Sequence, residues 1–132
     1  MKAKAILTLA SITALSKNYP GIRIVINESG HALLELKWAA KPKYRQTKGE
    51  EIPFPVGKWT HLTEHLRLSE KEDGLIELWQ DGQKIVDARG QNFPLAHAIY
   101  NNLEIGISAY NDRTKPATLY VDDVVISNKP IE

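Results

Sequence analysis

Seven residues of this sequence have types suited to recognising a hydroxyl-rich molecule: Trp79, Glu77, Lys84, His61, His65, Arg67 and Tyr110. An aromatic ring stacks on the apolar C–H side of a sugar, and carboxylate, guanidinium and imidazole groups hydrogen-bond its hydroxyls. The alternative for Trp79 is plain packing, beneath a loop or against a partner chain. His61, His65, Glu64 and Arg67 invite a catalytic reading, with either histidine as a general base beside a partner from a neighbouring strand, such as Glu35 or Glu77. On one strand face the two stand roughly 13 Å apart at about 3.3 Å per residue, too far to share one metal or one proton. A solvated polar face is the alternative there.

Other chemistries have less to work with. Lys41, Lys43, Arg45 and Lys48 make a basic stretch around Tyr44, which could meet an acidic polysaccharide or nucleic-acid phosphates. Glu50 and Glu51 follow at once and offset it, so a solvated loop is expected. The chain has no Gly-x-Ser-x-Gly elbow, phosphate-binding glycine loop or His-Glu-x-x-His pair. It also has no cysteine, which excludes disulfides, thiolate-bound zinc and thiol nucleophiles.

These residues must be positioned by strands. Breaker-rich stretches divide the chain: "NYPG", "NESG", "KPKYRQTKGEEIPFPVG", "EKEDG", "DG", "NDRTKP" and "NKP". Between them, period-two alternation and β-branched residues predict strands near 4–13, 21–28, 31–40, 58–69, 75–80, 83–89, 102–110 and 117–127. "PLAHAIYNN" is the one place for a helical turn. The best-defined feature is "GLIELWQDGQKIVDA", two strands joined by Asp81-Gly82, a pair suited to a type I′ turn. That register sets Trp79 opposite Lys84 and Leu78 opposite Ile85. It puts Ile76, Leu78 and Ile85 on one face, and Leu75, Glu77, Trp79, Lys84 and Val86 on the other.

The remaining strands sort the same way. Leu62, Leu66 and Leu68 oppose His61, Thr63, His65 and Arg67. Leu34, Leu36 and Trp38 oppose Glu35 and Lys37. Ile22, Ile24 and Ile26 oppose Arg23 and Asn27. Leu103, Ile105 and Ile107 oppose Glu104, Ser108 and Tyr110. The apolar sets predict a two-sheet core, hence an all-β antiparallel sandwich formed by residues 1–132 as a single domain.

Bulk properties agree with an ordinary globular chain. Of its 132 residues, 42% are hydrophobic and 25% charged, and the net charge of +1 gives no long-range pull on a polyanion. Nucleic acid and an anionic membrane surface are therefore not expected as partners. The opening "MKAKAILTLASITALS" has the lysines and apolar run of a leader, but Thr8, Ser11 and Thr13 dilute it, and a structural strand is expected instead.

"PVGKWTHLTEHLRLSEKEDGLIELWQDGQKIVDARG", followed by "NLEIGISAY" and "ATLYVDDVVIS", resembles the C-terminal half of concanavalin A-like jelly rolls, above all those of polysaccharide lyases. The resemblance rests on Gly57–Trp59, Gly74–Trp79–Gly82, Gly106 and Val121–Val124. It implies an abbreviated jelly roll, a polysaccharide or oligosaccharide partner and an extracellular or periplasmic setting. It also implies a structural calcium held with help from Asp122 or Asp123. The lyases carry a Tyr-x-Lys-x-Gly-x-Tyr arrangement where this chain has Glu104, Gly106 and Ser108, and no Gln-x-His motif is present. The resemblance therefore implies sugar-related ancestry more than lyase chemistry. The expectation is a non-catalytic carbohydrate-binding domain using the Trp79 face. The alternatives are a small lyase or glycoside hydrolase with a histidine base, and a homodimeric assembly protein that covers its edge strands without a sugar ligand.

Overall fold

A computed structural model describes residues 7–13, 21–37, 43–47, 50–93, 99–112 and 114–131. Trp38, Lys41, Lys48 and most of the expected helical turn at 94–102 lie outside the described residues. The described chain forms β1 (Leu7–Thr13), β2 (Gly21–Ile26), β3 (Ala32–Leu36), β4 (Lys43–Tyr44), β5 (Leu62–Arg67), β6 (Leu75–Gln80), β7 (Gln83–Arg89) and β8 (Asn102–Tyr110). Two antiparallel sheets result, one of five strands in the order β4-β3-β2-β1-β8 and one of three in the order β5-β6-β7. The molecule is therefore the all-β sandwich that the alternation implies.

The core lies between the sheets. Ile22, Ile24, Leu34 and Leu36 meet Ile76, Leu78, Ile85 and Val86, all at most 5% exposed. Each such side chain contributes about 2 kcal/mol by leaving water. The Asp81-Gly82 turn is as expected, with φ of 48° and 80°, the two positive values a type I′ turn requires. Trp79 does stand opposite Lys84. Leu78, however, pairs with Val86 and not with Ile85, because a β-bulge inserts one residue into β7. The bulge sends both Ile85 and Val86 into the core, so Val86 is not on the Trp79 face.

Three further expectations are corrected. Lys43–Tyr44 is not loop: it pairs with Glu35 and Leu34 as β4, and Tyr44 is buried in the core. Residues 117–127 alternate like a strand but form no ladder with any strand among the described residues. Leu103, Ile105 and Ile107 are 37–44% exposed, because the narrower sheet does not reach across β8.

Candidate functional site

The outer face of the three-stranded sheet holds part of the expected constellation. The β5–β6 register sets His65 beside Glu77 and Thr63 beside Trp79. Glu77 accepts from Lys84 Nζ at 2.6 Å, and its Oε2 lies 2.5 Å from His65 Nδ1. Partial burial works against the Glu77 charge, but these two hydrogen bonds offset it and hold the carboxyl below its ordinary range. The same pairing raises the Lys84 ammonium. The Lys84 nitrogen also stands 4.8 Å from the centre of the Trp79 ring. Trp79, Glu77, Lys84 and His65 thus form one connected group, in which both Glu77 carboxylate oxygens are already engaged.

The other expected residues are set apart. His61 precedes β5 and gives its backbone amide to Asp81 Oδ1 at 2.9 Å. Arg67 turns to the backbone carbonyl of Asp73. Tyr110 belongs to the other sheet, opposite Leu7 at the far end of β8, so it does not join Trp79. Asp122 and Asp123 are exposed in the C-terminal segment, where the Asp123 amide donates to Asp122 Oδ1 at 2.8 Å. Among the described residues no group of three or more His, Asp or Glu comes together that could hold a metal ion.

The outer face of the five-stranded sheet has the more pronounced shape. The registers place Glu104, Ser11, Arg23 and Glu35 abreast on β8, β1, β2 and β3. One residue pair along, Asn102 faces Thr13, whose other neighbour is Gly21. A Cβ at Gly21 would come within 2.7 Å of Thr13 Cγ2, so only glycine keeps this floor open. The result is an open hollow of about 320 Å³ lined by Ser11, Thr13, Arg23, Lys37, Asn102, Glu104, Ser108 and Ala109. A second hollow of about 220 Å³ lies along the same face, between Val25, Leu33, Glu35, Arg45 and the Asn27–Ser29 turn. Arg23 lines the first and Glu35 the second, and the two are paired, with Arg23 Nε donating to Glu35 Oε1 at 2.9 Å. Asn102 Nδ2 donates to Thr13 Oγ1 at 3.2 Å, which fixes one wall.

Three cations, Arg23, Lys37 and Arg45, share this face with three carboxylates, Glu28, Glu35 and Glu104, and with hydroxyl and amide groups. That is a polar surface of balanced charge, rich in hydrogen-bonding groups. Among the described residues, neither hollow is lined by a histidine or tyrosine. The alternation that separated Arg23, Glu35, Lys37, Glu104 and Ser108 from the apolar sets already placed them on one side. Ser11, Thr13 and Asn102 escaped notice because small polar residues are common on any strand.

Glu64, grouped by sequence with His61, His65 and Arg67, stands apart from them. It alternates with Leu62 and Leu66 and lies opposite Leu78, so its carboxyl points between the sheets. The residue is part-exposed, but its Oε1 is sealed and without a hydrogen-bond partner. Burial pushes its pKa up to about 7. The skipped i+2 position inside "LTEHL" was the available signal.

A family model described as polysaccharide lyase matches residues 8–125 of the chain. No curated protein and no solved structure matches it.

Proposed function

We propose that this chain, which belongs to the polysaccharide lyase family, binds a polysaccharide without cleaving it, along the outer face of its five-stranded sheet. The observation that carries the reading is the pair of hollows on that face, where Arg23, Lys37 and Arg45 stand with three carboxylates and with hydroxyl and amide groups. Lyase chemistry removes a proton beside a uronate carboxylate and protonates the leaving oxygen. The lining supplies cations for the carboxylate, but neither histidine nor tyrosine to move the proton. The Trp79 group is the competing location. Against it stand the internally satisfied Glu77 network and the Lys84 ammonium lying against the ring.

The test is affinity electrophoresis of the protein through a panel of acidic and neutral polysaccharides, with unsaturated uronate absorbance followed in parallel. Retention by an acidic polymer without product is expected, and Lys37→Ala should weaken it about tenfold, the loss of one charge-assisted contact. Accumulating unsaturated product would show an enzyme. Retention abolished by Trp79→Ala and untouched by Lys37→Ala would move the site to the other sheet.

A further inference from the structure

We propose that residues 119–126 add as a strand to the β5 edge of a second copy of this chain, each copy giving its segment to the other. The inference is independent of the sugar-binding reading. It begins from the unequal widths of the sheets. β7 lies over β4, where the Thr47 amide donates to the Ile85 carbonyl at 3.0 Å and a Cβ on Gly90 would come within 2.7 Å of the Tyr44 hydroxyl. From that side the smaller sheet runs through β6 and stops at β5, while the larger continues through β3, β2 and β1 to β8. Leu103 and Ile105 on β8 are aligned with Ile12 and Ala10, which pack on the core, yet each stays 44% exposed. A strand placed beyond β5 covers them.

The segment that fits is in the chain. "LYVDDVVI" has strand composition, and Asp123 has φ of 51°, the left-handed value found at a β-bulge. An extra residue there brings Leu119, Val121, Val124 and Ile126 onto one side. Leu119 is anchored against its own core, whereas Tyr120 and Ile126 are 77% and 75% exposed. On the Leu119 side, Val121 and Val124 remain 47% and 54% exposed, so the apolar side of the segment after Leu119 is only half covered by its own chain. Complementary groups favour the edge it meets. The outer side of β5 and its lead-in carries the Arg67 cation and the His61 and His65 rings, the latter also in contact with Glu77 of β6, and the segment brings Asp122 and Asp123. Main-chain hydrogen bonds along the β5 edge, which no strand among the described residues takes up, supply the affinity, and reciprocal exchange closes the assembly at two copies.

The test uses sedimentation equilibrium at micromolar protein and subunit mixing. A dimer is expected, and Val124→Lys should raise its dissociation constant at least about tenfold. Val124 is 54% exposed, so this change leaves the core intact. Because the chain has no cysteine, Thr63→Cys in one tagged copy and Asp122→Cys in another can be joined with a flexible bis-maleimide. A cross-link between the two copies is the expected product. A monomer throughout, a dimer indifferent to Val124→Lys, or a Thr63→Cys/Asp122→Cys double variant that links only within one chain would each overturn the proposal.

Discussion

Lys84 holds its ammonium 2.6 Å from Glu77 Oε1 and 4.8 Å from the centre of the Trp79 ring, so one cation serves a carboxylate and an aromatic face together. Trp79 is therefore part of the support of an ion network. Trp79→Ala is expected to leave polysaccharide retention within about twofold and to lower stability by about 1–2 kcal/mol, from lost burial and the lost cation–π contact. Affinity electrophoresis and urea unfolding on the same variant separate the two effects.

Glu64 makes stability depend on pH. Its folded pKa, about 7, lies above the ordinary carboxyl value of 4.5. The folded state therefore holds the proton more tightly than the unfolded chain. Stability is fully present below pH 4.5 and is lost as pH rises towards and through 7, by up to about 3 kcal/mol if the shift is fully expressed. Glu64→Gln cannot ionise, so its unfolding free energy should lack this decline. Urea midpoints between pH 4 and 8 for both proteins check it.

How far the sequence reaches is visible in these same strands. Alternation located the core and the sandwich, since burying one face of each strand leaves few other arrangements. It identified the hairpin because Asp81-Gly82 is a local signal. The bulge at Ile85 was not legible, because a single inserted residue leaves no mark in composition. Glu64 was grouped with His61, His65 and Arg67, although its place between Leu62 and Leu66 already put it on the inner face. The paired hollows depend on which strands lie abreast, and pairing between β1, β2 and β8 is a long-range property. Trp79 drew attention because it is large, while the face built from small residues did not.

Salt should distinguish the proposed face from a purely apolar one. On the proposed reading Arg23 and Lys37 meet the ligand through charge, so retention by an acidic polysaccharide is expected to fall steadily as ionic strength rises. Arg23→Ala should flatten that dependence, and it also leaves the half-buried Glu35 carboxylate without its partner. Titration calorimetry at several salt concentrations gives both slopes.

Asn92 is a structural keystone of the smaller sheet. Fully buried, it donates to the Arg67 carbonyl at 3.0 Å and the Leu75 carbonyl at 2.9 Å, and accepts from the Ser69 amide at 2.8 Å. Asn92→Ala strands three backbone groups and should cost about 3–4 kcal/mol. The urea midpoint should drop without a change in slope.

The Arg23–Glu35 pair divides the polar face of the larger sheet like a low step between two basins. An oligomer short enough to sit in one basin gains nothing from the other. A longer chain that crosses the step engages both, and its second contact is made at the high effective concentration set by the first. Affinity should thus climb in stages with chain length, giving this small domain a way to favour polymer over the fragments derived from it.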